Sequence, residues 1–594
     1  MEFEIILAVA MFACAILSLL AGYSVALTLG GVALLFALIG IATGTFSASF
    51  LIAFPSRIQG SSIMQSQTLV AVPLFVLMGV ILERSRVAED LLHIASRLLA
   101  RVRGGLGYAV ILVGALLAAS TGIVGATVIT MTLIALPTML RQGYDPKLAT
   151  GTIAASGTLG QIIPPSIVLI LLADAVSNAA SQASLKIGTG SGVVSVGDLF
   201  AGALIPGVLL VVFYLLYIAA TAFFRPAACP PVSVSEDTAP LTVKEVAFGL
   251  GAPLLLIIAV LGAILGGVAP PTEAAAIGAA GAVILAGLRL SEEANSRLSP
   301  LLLAGLISIA AILLLRNTMD LRAGVETITA GNTIGIVLTV LASLVFFAGF
   351  AAGLLVLRKV RQLMPALTSA THITSMVFLI LIGASLFSLV FRGYGGDEMV
   401  AAILHQAPGG KWGALALTML VMFILGFFLD FIESVFVVVP LVAPPLIILG
   451  FDPVWLAILM ALNLQTSFLT PPFGFALFYL RGAAPDEIAT MDIWRGAGHR
   501  RQPPRSRTAG CRAIGHPYGI WPAIDRRTQA GRRSSAHNSR HRIDGLLGKP
   551  GPQDTDLPAL CQHVWRGSHP PAPGHHMRRI SGSGARLVIG LRAR

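Results

Sequence analysis

Charge is scarce in this chain. Asp, Glu, Lys and Arg together make up 11% of its 594 residues, against about 25% in soluble domains. With 56% hydrophobic residues and a mean hydropathy of +0.85, the bulk of the chain belongs in lipid, as one continuous membrane domain rather than several water-soluble ones. Its four cysteines, Cys14, Cys229, Cys511 and Cys561, have no CxxC spacing, which argues against a disulfide framework or a zinc module. Before residue 494 only His93, His372 and His405 occur, and none has metal-ligand spacing, so a membrane enzyme would lack its catalytic groups. No glycine-rich phosphate loop is present, which disfavours an ATP-driven pump. The amino terminus carries Glu2 and Glu4 where a cleaved signal would be positive, and reads as the start of a retained first span.

What charge there is sits at one end. Residues 494–594 hold 19 Lys and Arg against 4 Asp and Glu, a surplus of 15, whereas residues 1–493 hold 21 against 24, a deficit of 3, together giving the net +12. The basic character therefore belongs to a tail and gives no reason to expect a nucleic-acid partner for the membrane part. The tail has 18 Arg, one Lys, no Glu, no Phe, eight of the 11 histidines and no helical or strand period. It reads as the product of a shifted reading frame, and is expected to be disordered.

Apolar stretches near 4–24, 27–48 and 69–82 precede a basic segment bearing Arg84, Arg86, Arg97, Arg101 and Arg103. If that segment is cytoplasmic, three spans leave the amino terminus outside. The stretch 107–141 is too long for one span and too short for two, and is broken at Ser120 to Gly122, as a re-entrant hairpin would be. Further spans are expected near 148–180, 198–223, 245–268, 274–289, 300–315, 333–357 and 368–391. A second hairpin at 413–448, entering from outside, and a last span at 454–481 complete the set.

An internal repeat marks the candidate site. Pro137, Gly143, Asp145, Pro146, Pro164 and Pro165 match Pro444, Gly450, Asp452, Pro453, Pro471 and Pro472, each pair 307 residues apart. One copy starts from the cytoplasm and the other from outside, the inverted repeat of secondary transporters, which bind at the midplane where broken helices meet. Pro-Pro in mid-span removes two donors and forces the preceding residue out of helix. Unpaired backbone at that depth is tolerated only in protein or beside a wet cavity. Half-helix carboxyl ends suit a cation and amino ends a carboxylate.

Small polar residues surround each break: Ser156, Gly157, Thr158, Gly160 and Ser166 with Pro164 and Pro165; then Asn463, Gln465, Thr466, Ser467, Thr470 and Gly474 with Pro471 and Pro472. An uncharged oxygen cage suits sodium better than a divalent metal, although each hydroxyl taken singly is expected to bond its own helix. The hairpin tips that would face the breaks are Ser120, Thr121, Gly122, Gly125 and Thr127 in the first, and Asp430, Glu433 and Ser434 in the second. Carboxylates inside a span are functional by default, the alternative being a tip that is simply wet.

These residues resemble a known family, the large (DctM-type) membrane subunit of tripartite ATP-independent periplasmic (TRAP) transporters. The resemblance rests on GYDPKLATGTIAASGTLGQIIPPS, on APPTEAAAIGA from Ala269, on ITSMVFLILIGASLFS from Ile373, and on LGFDPVW with LTPPFG, and covers roughly residues 1–497. It implies an elevator-type carrier in the bacterial inner membrane, driven by sodium as coupling ion with no cofactor. It also implies a small membrane subunit, a periplasmic binding protein and a carboxylate substrate. By position, Ser120–Thr127, Ser156–Gly160 and Pro164–Ser166 would form one sodium site, and Asp430–Ser434, Asn463–Thr466 and Thr470–Gly474 the other. The family would continue past IWRGA with another apolar span, where this chain turns basic. Thr272 and Glu273 match a family motif and read as a buried helix-start cap.

The expected fold is an all-α polytopic membrane protein with inverted repeats, two re-entrant hairpins and two broken helices. Its parts would be scaffold spans and a basic interfacial segment (1–106), a first transport repeat (107–224), central scaffold with inserted helices (225–367), a second transport repeat (368–493) and the tail (494–594). A stand-alone sodium/anion symporter on the same repeat, or a channel, remains open at this point.

Overall fold

The computed structural model describes residues 2–60, 63–188, 194–231, 242–291, 293–318 and 330–498. Residues 499–594, nearly all of the basic tail, lie outside the described residues. Among the described residues every regular element is a helix, as a chain that must satisfy its backbone inside lipid requires. Nine of these helices are long and apolar enough to cross a membrane, and one bent pair makes a tenth.

In chain order the helices are α1 (Glu2–Leu20), α2 (Val25–Thr43), short α3 (Ser49–Ile52) and α4 (Phe54–Gln59), α5 (Ala71–Arg84) and α6 (Val87–Leu98). Next come α7 (Gly105–Thr121), α8 (Val124–Arg141), α9 (Pro146–Thr158), α10 (Ile167–Ile187) and α11 (Val196–Phe224). The central group is α12 (Val243–Val246), α13 (Ala252–Leu265), α14 (Pro271–Leu290), α15 (Ser299–Thr318) and α16 (Ala330–Lys359). The last group is α17 (Leu363–Gly393), α18 (Gly396–His405), α19 (Gly410–Leu425), α20 (Phe431–Val437), α21 (Val439–Ile448), α22 (Pro453–Phe468), α23 (Phe475–Ala483) and α24 (Thr490–Ala497).

The two stretches expected to be hairpins are α7–α8, joined by Gly122 and Ile123, and α19 with α20–α21. The second arm of the latter bends by 55° between α20 and α21. Pro440 explains the bend, because it offers no N–H to the Phe436 carbonyl one turn earlier.

The shared Gly-aromatic-Asp-Pro motif is a helix-to-helix turn. Gly143 and Gly450 take φ of +79° and +89°. Their N–H groups bond Leu140 O and Ile447 O, and the N–H groups of Tyr144 and Phe451 bond Met139 O and Leu446 O, closing both preceding helices in the same way. Asp145 and Asp452 then cap the next helix, accepting from the N–H of Lys147 at 3.0 Å and of Trp455 at 2.8 Å. Pro146 and Pro453 fill the first helical position, where no donor is needed.

The repeat begins further upstream than the motif. Each unit opens with an apolar helix, α5 or α17, followed by a left-handed residue, Arg86 or Gly395, and an amphipathic helix, α6 or α18. Both amphipathic helices carry acids in the first turn (Glu89 and Asp90; Asp397 and Glu398) and a basic residue in the last (Arg97; His405), in the sense their dipoles favour. A hairpin and a broken helix follow in each. If α5, α9–α10, α11, α13, α14, α15 and α16 each cross once and α7–α8 is re-entrant, as the hydrophobic runs and basic segments of the sequence expect, seven crossings separate the start of α5 from that of α17. The number is odd, so the second unit starts on the opposite face and the repeat is inverted.

α17, which opens the second unit, packs along α2 and α5 and also reaches α20. The inserted helices α15 and α16 are tied in by glycines. A Cβ on Gly349 would come within 2.8 Å of Gly305 Cα, and one on Gly287 within 2.8 Å of Gly353 Cα, so these backbones touch as membrane helices do through small residues. Gly349→Ile is therefore expected to pry α15 from α16 and to destabilise the protein by roughly 1–3 kcal/mol; an unchanged melting temperature for the purified chain would contradict this contact.

Two smaller expectations change. α14 starts behind Pro270 with no side-chain cap, and Glu273 is exposed, so Thr272 and Glu273 do not form a buried cap. α24 runs to Ala497 and packs on α9, where Gly151 and Gly496 leave no room for a side chain. Trp494 to Ala497 thus belong to the helical body, on the far side of the boundary drawn at 494 from composition.

Candidate functional site

The proline pairs fall at the two breaks. After α9 a single turn of 3-10 helix (Leu159–Gln161) leads into the 162–166 segment, and α10 starts at Ile167; α22 ends at Phe468 and α23 starts at Phe475. The Pro164–Pro165 and Pro471–Pro472 peptide bonds are both cis. The breaks differ in exposure. Gln161, Pro164, Pro165 and Ser166 are buried, whereas Pro472 is exposed and Phe473 is 59% exposed.

Each hairpin lies on its own break and also reaches the other repeat. A Cβ on Gly122 would meet the Ile167 N–H nitrogen at 2.8 Å, one on Gly160 the Ala118 carbonyl oxygen at 3.1 Å, and one on Gly157 a Val128 methyl at 2.4 Å. In the second repeat a Cβ on Gly426 would meet Ser467 Oγ at 2.2 Å, and the rings of Phe428 and Phe473 lie 5.7 Å apart. Ser467 stands 307 residues after Gly160, so the first arm touches its broken helix at the same place in both units. The second arms cross over: α8 packs on α23, with Gly125 against the Tyr479 ring, and α21 packs on α10.

The two breaks meet each other. Gln465 Nε2 donates to Thr158 Oγ1 at 3.5 Å, and these two residues are themselves 307 positions apart. Equivalent residues of two copies can touch only where the axis relating the copies passes. The phenol of Tyr214, from α11, interacts with both side chains.

Most hydroxyls named from the sequence bond their own helix. Ser156 donates to Ile153 O at 3.0 Å, Thr158 to Ala155 O at 2.9 Å, Thr127 to Ile123 O at 3.0 Å, Thr466 to Leu462 O at 2.9 Å, and Thr470 to Thr466 O at 2.8 Å. Ser166 instead spans the first break, donating to Gln161 O at 3.2 Å. A hydroxyl that donates to a carbonyl keeps its lone pairs, so these oxygens still have acceptor capacity. Thr466 is exposed, facing away from the Thr158–Gln465 contact. Asn463 Nδ2 donates to Met419 O at 2.8 Å, tying α22 to the first arm of its hairpin. Gly474 lies on the Phe468 carbonyl, 2.4 Å from where a Cβ would be.

Asp430 and Glu433 form a reciprocal capping box on α20. The Asp430 N–H donates to Glu433 Oε2 at 3.0 Å, while Asp430 Oδ1 accepts from Phe431 N at 2.7 Å. Ser434 is fully buried and its Oγ has no hydrogen-bond partner among the described residues. The side chains of Ser120 and Thr121 lie outside the described residues.

Sequence reasoning missed Gln161 and Thr418 here. Both amide atoms of Gln161 and Thr418 Oγ1 are buried without a hydrogen-bond partner among the described residues, as is Oε1 of Gln465, which the sequence did point to. Gln161 stands inside the GQIIPPS stretch and could have been read there. Tyr214 and Tyr479 sit in apolar runs with nothing in their spacing to distinguish them from lining.

Interlocked repeats, each broken by a proline pair and touching on their common axis, are the arrangement in which secondary transporters build a site inside a membrane bundle. The chain belongs to the tripartite ATP-independent periplasmic transporters as their DctM component: the model of that family matches residues 9–331 and 289–497. It is 27% identical over 436 residues to the C4-dicarboxylate TRAP transporter large permease protein DctM of Vibrio cholerae, covering 72% of this chain and 80% of that one. It is 28% identical over 413 residues to the permease of the same name from Pseudomonas aeruginosa, covering 69% and 76%. Among solved structures, the Alcanivorax borkumensis YdaH transporter aligns with 82% of this chain and 94% of its own, at a TM-score of 0.47 and 14% identity.

Proposed function

We propose that this chain is the carrier subunit through which a sodium gradient drives import of a small organic anion across a bacterial inner membrane. A periplasmic binding protein delivers the anion, and a small membrane subunit completes the transporter. The observation that carries this reading is the Thr158–Gln465 contact, which joins the two breaks on the axis of the repeat. Around it lie hydroxyl, amide and carbonyl oxygens, the donors a hard monovalent cation prefers. The exits of α9 and α22 present carbonyls, and the starts of α10 and α23 present N–H groups, so each break offers both polarities.

The hairpins and broken helices form the moving body, and α1–α2, α5 and α13–α17 the scaffold. Thr130 of α8 donates to Glu83 of α5 at 2.9 Å, a contact between the two bodies. Relatives are named for C4-dicarboxylates, isethionate and ectoine, so the anion is left at the level of a small organic acid.

The test is uptake of a labelled acid into vesicles holding this chain with its small subunit and binding protein. An inward sodium gradient should drive accumulation, and replacing sodium by potassium, or omitting the binding protein, should abolish it. Accumulation indifferent to sodium would overturn the coupling.

A further inference from the structure

A second polar place lies apart from the breaks. Between α10 and α17 is a cavity of about 210 Å³, about seven waters' worth of liquid volume. Its polar lining is Arg57, Asp174, Asn178, Gln182, Ser385, Ser388 and Arg392, and Phe436 and Pro440 of the second hairpin close one side. Polar walls between apolar helices need a reason, since each such group is costly to bury without a partner.

The charges do not cancel within the cavity. Neither Arg57 nor Arg392 is paired with a carboxylate within 4.0 Å among the described residues, and Arg392 Nε is buried with no hydrogen-bond partner. Asp174, the one acid in the lining, is already engaged: Oδ1 accepts from Ser66 at 3.1 Å and Oδ2 from Asn178 at 3.2 Å. Asp397, whose charge also reaches Arg392, pairs with Lys186 at 3.9 Å. Arg57 and Arg392 repel each other across a space with one carboxylate for two guanidiniums. An anion there would relieve the repulsion and occupy the free donor, and a carboxylate can take a guanidinium through two parallel bonds.

The position matters as much as the charge. Arg57 comes from α4 and Arg392 from the last turn of α17, both on the scaffold side, whereas Asp174 and Asn178 are on α10 and Phe436 and Pro440 on the second hairpin. The volume is below the 300 Å³ at which pockets for drug-sized ligands begin, so the occupant is small. We infer that this cavity takes the carboxylate of the transported acid, with Arg57 and Arg392 gripping it at the seam between scaffold and moving body. The inference rests on the carrier reading above, and it assigns the anion to a place distinct from the oxygen-lined breaks.

The test uses the full-length chain in lipid nanodiscs. Phenylglyoxal labelling of Arg57 and Arg392, mapped by mass spectrometry, should be slowed by acetate, lactate or succinate and not by chloride at the same ionic strength. Thermal stabilisation by the most protective acid should weaken about tenfold in concentration dependence in Arg57→Gln and Arg392→Gln, as losing one charge-assisted contact implies, and Arg392→Lys should recover part of it. Asp174→Asn should tighten the response. Protection by none of the three acids, or wild-type responses in both glutamine variants, would overturn the assignment. So would an Asp174→Asn variant that melts as low as Arg392→Gln with no response to acid, which would make the cavity an internal charge link only. Sodium-driven uptake intact in Arg57→Gln and Arg392→Gln would sink the cavity alone. Acid protection together with uptake indifferent to sodium would sink the coupling alone.

Discussion

Converting Asp430 to Asn and Glu433 to Gln in one chain should lower sodium-driven uptake by about ten- to several-hundredfold while leaving the protein folded in the membrane. The expectation comes from what the substitutions keep. Asparagine caps a helix as well as aspartate does, and glutamine can still accept the N–H at the start of the helix, so the box observed at the head of α20 survives. Two carboxyl groups become amides at a tip that packs by the second break through Phe428 and Phe473. Charge-assisted contacts contribute on the order of 1.5–3 kcal/mol each, and every 1.4 kcal/mol is about tenfold in affinity. The sodium concentration for half-maximal uptake should rise in each single variant. If the double variant transports at the wild-type rate with the same sodium dependence, the carboxylates serve only as helix caps.

A larger structural effect is expected at the first tip. Gly122 has φ of +61°, which costs an L side chain roughly 1–2 kcal/mol, and its Cβ would stand 2.8 Å from the Ile167 backbone nitrogen. That obstacle is backbone, which cannot step aside as the end of a flexible side chain can. Gly122→Ala should therefore push the tip off the start of α10, lowering the melting temperature and abolishing uptake together. Gly267→Ala is the control, because it shares the left-handed backbone at φ +65° but meets nothing within 4 Å; it should melt lower with uptake preserved. Equal losses of uptake in the two variants would mean that backbone strain, and not the contact with the break, matters.

Much of the architecture was legible because lipid imposes a coarse rule: apolar length decides what spans, and Arg and Lys mark the inner face. The two over-long apolar stretches became hairpins, and the proline pairs became breaks, since an absent N–H cannot be compensated locally. The repeat was legible through Gly143 and Gly450, Asp145 and Asp452, where turn and cap chemistry admits few residues. Those positions turned out to shape the connection ahead of each broken helix; of the shared motif, only the proline pairs lie at the breaks themselves.

What the sequence concealed was the upstream half of the repeat and the contacts between copies. α6 and α18 share amphipathic character and end charges but no residue ruler, because an amphipathic surface helix is satisfied by many sequences. α17 looks like any other span, and only its place ahead of α18 marks it as the counterpart of α5. Tyr214 acts through tertiary neighbours that no spacing announces. Arg57 and Arg392 lie 335 residues apart in different contexts, one on a short helix and one at the end of a long span. Nothing in the chain brings them together before it folds.

Transport as proposed requires the hairpin and broken-helix body to move against the scaffold. Thr130 and Glu83 lie across that boundary at hydrogen-bonding distance, so a Thr130→Cys, Glu83→Cys chain, with Cys14, Cys229, Cys511 and Cys561 replaced by Ala, can be oxidised to lock one body to the other. Uptake should stop on oxidation and return on reduction, with each single cysteine variant unaffected by oxidant. Undiminished uptake by a fully cross-linked chain would show that the two bodies do not move past each other during transport.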